Sequence, residues 1–277
     1  MLRQFSYDFR LLTADSYSHD LRLTTYDYKG GSAMTRSILI ASGKGGVGKS
    51  TVASRLGRLL SEKGQKTLLV DCDAGLSSLD VMLGVAEDVA FNWYDAYLGR
   101  CEAAEAVVHT ENGPDLLPAP SAVLPEQAPD AVKNAVDALA DDYDVVIIDA
   151  PAGLSTGLDR AARAAKKAVV VATADEVSVK GAAALAKTVT EKGVEQCRLL
   201  INRYDVKAAK KGKLLTVDDI IDKTAVQLLG IVPEDPEITY STVTGKRGDK
   251  NKSAKAFARI VERIDGNNVP LNLKLLK

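Results

Sequence analysis

Short apolar runs alternate with amphipathic stretches along almost the whole chain. Candidate strands are Ser37–Ala41, Lys66–Val70, Asp115–Leu117, Asp144–Ile148, Ala168–Ala172, Arg198–Asn202 and Gly230–Val232. Apolar residues at successive positions, rather than at alternate ones, fit strands buried on both faces of a sheet. After the first run, Val52, Leu56, Leu59 and Leu60 recur at helical spacing with Arg55, Arg58, Glu62 and Lys63 between them, and Gly64 ends the helix. Further helices are predicted over roughly 78–83, 91–99, 128–140, 155–165, 177–192, 217–227 and 253–264. This alternation predicts an α/β fold, a doubly wound, mostly parallel sheet with helices on both faces. No repeat, low-complexity tract or linker interrupts it, so residues 34–266 read as one domain, followed by a short tail, 267–277.

Residues 1–33 break the pattern. They are rich in Tyr, Asp, Ser and Thr and show no sustained period. Met34 stands three residues before the first strand, and Lys29-Gly30-Gly31 can be encoded by a purine-rich stretch like a bacterial ribosome-binding site. We expect translation to begin at Met34. Residues 1–33 would then be a non-native extension, the alternative being a disordered arm.

Composition narrows the function classes. The chain has 277 residues, 46% hydrophobic and 26% charged, enough for a substantial core. A net charge of −1 gives no global field toward nucleic acid or anionic lipid. Cys72, Cys101 and Cys197 form no C-x-x-C pair, and His19 and His109 are too few for a histidine metal site, so a reducing cytoplasm is expected. No apolar run approaches the roughly 20 residues that span a bilayer, and the first 20 residues lack the apolar stretch of a signal peptide.

The candidate chemistry sits at the ends of the strands. Gly43-Lys44-Gly45-Gly46-Val47-Gly48-Lys49-Ser50 satisfies G-x-x-x-x-G-K-[ST], and Thr51 continues into the helix. The glycines let successive N–H groups converge on phosphate oxygens. Lys49 would sit on the β- and γ-phosphates, and the Ser50 hydroxyl would ligate Mg²⁺. The helix that starts here adds the positive end of its dipole. Val145-Val146-Ile147-Ile148-Asp149 is an apolar strand ending in an acid, as in a Walker B segment, so Asp149 is a second Mg²⁺ candidate. Gly153 follows, placed to bring an N–H to a γ-phosphate and to hinge a switch segment. Asp71 and Asp73 end another strand on one side of it. One could orient the Mg²⁺ shell and the other the attacking water.

These residues resemble the MinD/ParA class of deviant Walker ATPases. The likeness rests on Lys44 within the loop, on Asp71-Cys72-Asp73-Ala74-Gly75-Leu76 and on Asp149-Ala150-Pro151-Ala152-Gly153, and it runs from about residue 36 to 264. It is nearest to the MinD branch through Gly75–Gly84, Arg203-Tyr204, Leu215–Asp219 and Gly230–Asp235. The resemblance implies a P-loop NTPase fold of the SIMIBI type, ATP and ADP as ligands with Mg²⁺, and a homodimer closed face to face around two ATP molecules. Lys44 would then reach the partner's phosphates, Asp73 would polarise the attacking water, and Asp71 would help hold the Mg²⁺ shell. Asn202 would read the adenine edge, with Arg203, Pro233, Glu234 and Asp235 about the base. The implied function is ATP hydrolysis to ADP and phosphate as a spatial-positioning switch for a septum site, a flagellum, a chromosome or a plasmid.

Two departures stand out. Family members of the MinD branch end in a basic amphipathic helix that binds membrane. Here Pro270 interrupts the end, and Leu271, Leu273, Leu275 and Leu276 alternate like a docked tail, so membrane anchoring is not the expected role. The usual T-N-P-E-like stretch reads Thr173-Ala174-Asp175-Glu176, which leaves the regulatory or cargo partner unassigned. Basic clusters at Lys207, Lys210, Lys211 and Lys213 and at Lys246, Arg247, Lys250, Lys252 and Lys255 could meet DNA or lipid phosphates, but solvated surface is the plainer reading. A P-loop phosphotransferase or ligase, or an iron–sulfur carrier ATPase of the Mrp type, is the alternative. The carrier needs interface cysteine pairs that this chain does not place near the Walker B strand.

Overall fold

The structure, a computed structural model, describes residues 36–75, 77–122, 128–238 and 251–272. The expectations for residues 1–33, for the basic residues 246–250 and for the last leucines of the tail lie outside the described residues.

The strands are β1 (Arg36–Ala41), β2 (Thr67–Asp71), β3 (Asp115–Leu117), β4 (Val145–Asp149), β5 (Lys167–Ala172), β6 (Gln196–Tyr204) and β7 (Leu228–Pro233). The helices are α1 (Lys49–Glu62), α2 (Leu79–Leu83), α3 (Trp93–Tyr97), α4 (Ala131–Ala138), α5 (Thr156–Arg163), α6 (Glu176–Glu191), α7 (Val206–Lys210), α8 (Val217–Thr224) and α9 (Lys252–Ile264). The strands form one seven-stranded sheet in the order β3-β2-β4-β1-β5-β6-β7, with parallel pairing throughout. Parallel strands need crossover helices, and the two faces are covered accordingly.

Successive residues on each strand feed opposite cores. Leu39 and Ala41 of β1, with Val146 and Ile148 of β4, join Trp93, Val132, Leu158, Leu185 and Ile220 of α3, α4, α5, α6 and α8. Ile38 and Ile40, with Val145 and Ile147, pack instead with Leu56 and Leu60 of α1 and Phe257 and Ile260 of α9. β1 therefore lies in the middle, buried on both sides, and its carboxyl end opens between β4 and β5. Ligands of such sheets bind at this switch of strand order.

The structure differs from the sequence reading most in three places. The helix expected over 91–99 is α3 alone, because Asn92 and Asp95 form a capping box that starts it at Trp93. β6 runs to Tyr204, past the charged Arg203, through an irregular pairing with β7. α7 is an added short helix, nucleated where Asp205 accepts from the Lys207 and Ala208 amides at 2.8 and 3.1 Å.

The start of the tail is docked. Arg263 of α9 donates from Nε to the Val269 carbonyl (2.8 Å), from Nη2 to Pro270 (3.1 Å) and from Nη1 to Leu229 of β7 (2.8 Å). Leu271 packs on the core beside it. Burial, with Arg259 nearby, pulls the Arg263 guanidinium down to about 10. No helix among the described residues is long and apolar enough to cross a membrane.

Candidate active site

The loop between β1 and α1 turns on two glycines in the left-handed region, Gly46 (φ 75°) and Gly48 (φ 88°). Gly48 precedes α1 and no side chain caps that helix, so its first amides are left for an anion. Gly48 has a second constraint: a Cβ there would meet Asn202 Nδ2 at 2.6 Å. That nitrogen donates to the Val47 carbonyl at 2.8 Å. Asn202, expected to read adenine, thus also braces the phosphate loop from the end of β6.

Gly43 needs its bare backbone for another reason. A Cβ there would stand 2.3 Å from the Gly181 carbonyl carbon on α6. Gly181 sits inside a helix, where glycine costs roughly 1 kcal/mol relative to alanine, and this close approach is what it permits. Gly43→Ala is expected to weaken ADP binding at least about tenfold, since backbone stands on both sides of the clash. Gly181→Ala, where the contact is 3.1 Å, should cost less. Calorimetric ADP titration ranks the two variants, and the reverse order would contradict the geometry.

Beneath the loop, Lys49 Nζ donates to Asp149 Oδ1 at 2.8 Å, with side chains 7% and 0% exposed. The same nitrogen reaches Ser50 Oγ at 3.4 Å. Asp149 meets Lys49 because β4 is the direct neighbour of β1. On its other side β4 pairs with β2 in a register that sets Asp149 against Asp71. Two buried acids thus share this corner. Burial pushes Asp149 above the usual carboxylate range, while the Lys49 ammonium pulls it back. Burial, with the Asp149 charge beside it, raises Asp71 to about 6 against the pull of three backbone amides.

Those amides define what Asp71 does here. Its carboxylate accepts from Asp73 (2.9 Å), Ser78 (3.2 Å) and Leu79 (3.3 Å), fixing both ends of the loop between β2 and α2. Asp71, expected in the Mg²⁺ shell, also organises the loop that carries Asp73. Asp73 itself is half-buried, and its charge is felt at Asp149. Gly153 (φ 81°), whose N–H was expected to meet a γ-phosphate, donates it here to the Ser42 carbonyl at 2.8 Å, so the residue ties the segment after β4 to the entry of the phosphate loop.

Lys44 is exposed. Its Nζ meets Asp175 Oδ1 at 3.1 Å. Asp175 caps α6 through the Ser178 amide and accepts from Thr173 Oγ1 at 2.6 Å. Burial works against its charge, but Thr173, Ser178 and Lys44 together hold its carboxyl below the usual range. A cavity of about 250 Å³ opens here, lined by Lys44–Val47, Thr173–Asp175, Arg203, Leu214 and Glu234. Arg203 (φ 55°) spans its floor, from Glu234 (3.1 Å) to the Gly46 carbonyl (3.5 Å). Asp235 turns away to Ser253 of α9 (2.7 Å), and Pro233 is buried at the end of β7. A larger cavity, about 790 Å³, lies at the opposite end of the sheet by Thr67 and Asp115, far from the amide loop.

Thr173, Ala174 and Asp175, read in the sequence only as an altered family stretch, join Gly181 and Leu214 as site residues not predicted there. An Asp just before a helix and a glycine inside one are visible signals; Leu214 carries none.

The donor set fits a metal-bound nucleoside phosphate. The uncapped amides suit phosphate oxygens. Asp149 Oδ2 is buried without a hydrogen bond, an orphaned acceptor close to the Ser50 hydroxyl, and hard oxygen donors of this kind suit Mg²⁺.

Comparison with known proteins agrees with this geometry. A family model described as an AAA domain matches residues 35–198. The septum site-determining protein MinD of Bacillus subtilis is 36% identical over 248 residues, covering 87% of this chain and 92% of that protein. Among solved structures, MinD in the MinC:MinD cell division complex of Aquifex aeolicus superposes with a TM-score of 0.79 at 29% identity, covering 86% of this chain and 98% of that one. The Pyrococcus horikoshii MinD solved with Mg-ADP superposes at 0.75 and 30% identity, covering 84% and 96%. With its deviant phosphate loop, its Walker B acid and likeness over most of both chains, this protein belongs to the MinD family of P-loop ATPases.

Proposed function

We propose that the chain binds ATP with Mg²⁺, closes into a face-to-face homodimer and hydrolyses the γ-phosphate, so that ATP and ADP set two positional states of a cell-division or cargo-positioning switch. The observation that carries this reading is the buried Lys49–Asp149 pair beneath an uncapped amide loop at the carboxyl end of β1. Lys49 would exchange Asp149 for the β- and γ-phosphates. Ser50 and Asp149 would hold Mg²⁺, which supplies charge neutralisation for those phosphates. Asp73 would take a proton from the attacking water, a phosphorus–oxygen bond would form to that water, and the bond to the β-phosphate oxygen would break, leaving ADP and phosphate. Calorimetric titration of MgATP together with phosphate release tests the whole reading. Neither heat nor phosphate would end it.

The dimer reading rests on one face. Leu154, just after the Gly153 that bonds to Ser42, and Val177, two residues after the Asp175 that holds Lys44, are 60% and 67% exposed. Closure would bury both. Lys44 would leave Asp175 to offset the charge of two opposed nucleotides, as an arginine finger does elsewhere. Lys44→Ala is expected to abolish ATP-dependent dimerisation in sedimentation velocity. Asp175→Asn keeps a helix cap but frees Lys44, so half-dimerisation should need less ATP, by up to about fivefold for an exposed pair. An unchanged dimer in the first variant removes the trans role of Lys44.

The Aquifex relative was solved in a complex with MinC, which makes a MinC-like cell division protein the first partner to test by pull-down with ATP and with ADP. Cys72 is ill suited to an iron–sulfur carrier. It is buried, and burial beside Asp71 and Asp149 pushes its thiol well up, away from the thiolate that a cluster needs.

A further inference from the structure

The chain has a single tryptophan, and it stands behind the Asp73 loop. Trp93 opens α3 fully buried, and its indole N–H donates to the Asp71 carbonyl at 2.8 Å. The Arg160 guanidinium of α5 lies over the ring, 5.6 Å from its centroid. Arg160 is itself only 5% exposed, and its Nε donates to the Ala128 carbonyl at 2.8 Å.

A buried guanidinium is costly, and an apolar side chain is often as stable in such a place. What Arg160 adds is position and charge. It is felt, with Lys49, as positive charge at Cys72, between Asp71 and Asp73. Asp71 is held at both ends: its carbonyl by Trp93, its carboxylate by the amides of Asp73, Ser78 and Leu79. The backbone that carries Asp73 therefore leaves β2 from a point set by the indole. Arg160 rides on the helix that follows Gly153. Carbonyl, indole and guanidinium join the roots of the two loops that would flank a γ-phosphate.

We propose that Trp93 and Arg160 are positioning residues for hydrolysis: they fix the spacing of the Asp73 loop against the Gly153 loop, so that both meet the γ-phosphate together. This rests on the ATPase reading above. Neither side chain touches the substrate; both act through Asp71 and α5.

Because Trp93 is the only indole, its emission reports on the brace directly. MgATP should shift it and MgADP should not, since the loops differ where the γ-phosphate stands. Trp93→Phe keeps an aromatic face for Arg160 and removes only the N–H donor. Arg160→Met keeps length and removes charge, and Arg160→Lys restores a cation over the ring. Trp93→Phe and Arg160→Met should lower kcat between about tenfold and a hundredfold, with KM for ATP and calorimetric ADP affinity within about twofold of the parent. Arg160→Lys should recover part of kcat, and the ATP-dependent emission shift should vanish in Arg160→Met. Parental kcat in both variants overturns the proposal. So does a fall in ADP affinity parallel to kcat, which marks a merely structural role, or an Arg160→Lys no better than Arg160→Met. A parent protein that binds ADP yet shows no ATP-dependent emission shift overturns it while leaving the ATPase reading intact. A parent that binds no nucleotide overturns both.

Discussion

Lys49→Ala is expected to abolish the heat of MgATP binding and to lower the stability of the folded chain by about 3–5 kcal/mol at neutral pH. The first effect follows from the loop, whose only buried cation is Lys49 among the described residues 42–50. The second follows from what remains. Asp149 is wholly buried, 2.8 Å from the lost ammonium and in register with Asp71 on β2. Burial already raises its carboxyl, and Lys49 is the largest pull in the other direction. Without that pull the folded state holds the Asp149 proton more tightly still, relative to the unfolded chain, than the parent does. Stability then falls as pH rises. The loss is small below the ordinary carboxylate value of about 4 and complete once pH passes the raised folded value. Urea midpoints at pH 5 and pH 8 check the sign: the gap between variant and parent should be wider at pH 8. An equal gap would mean that the stranded acid is not the cause, and retained MgATP affinity would refute the phosphate-loop assignment.

The parts of this site that are legible in the sequence are those written into contiguous residues. β1 and β4 show as apolar runs because both their faces are buried, and the glycine loop and the terminal acid of β4 are short signatures with a chemical reason for each residue. What alternation does not encode is strand order. It announces a parallel sheet, but not that β4 lies between β1 and β2, and that placement is what brings Asp149 against both Lys49 and Asp71. Pairings between distant elements are equally silent. Lys44 and Asp175 are 131 residues apart, and each reads alone as a loop charge and a helix cap. Gly181 reads as a weak point in α6 until Gly43 is found against it. Trp93 reads as one aromatic of an apolar stretch, since neither the Asp71 carbonyl nor Arg160 of α5 lies near it in the chain. The predicted strand ends at Asn202, yet Arg203 continues β6 in a strained left-handed conformation and lines the cavity beside the phosphate loop.

Asp73→Ala should bind MgATP with affinity within about threefold of the parent and lose between about a hundredfold and ten-thousandfold in turnover. The carboxylate enters no ion pair with another described residue, unlike that of Asp175. Its amide is fixed on Asp71 at 2.9 Å, so truncation at Cβ leaves the loop anchor in place and removes only the proton acceptor. Binding should therefore survive, while the dimer that ATP closes should persist instead of decaying with hydrolysis. Single-turnover phosphate release and sedimentation velocity at the same ATP concentration separate the two effects, and parental turnover would move the water-orienting role to another group. The variant also discriminates direct from indirect action. If Trp93 serves hydrolysis by holding the root of the Asp73 loop, its effect on kcat passes through the Asp73 carboxylate. Trp93→Phe should then cost little further in the Asp73→Ala background, far less than the product of the two single losses. Multiplicative losses would show that the indole acts on turnover by a route that does not include Asp73.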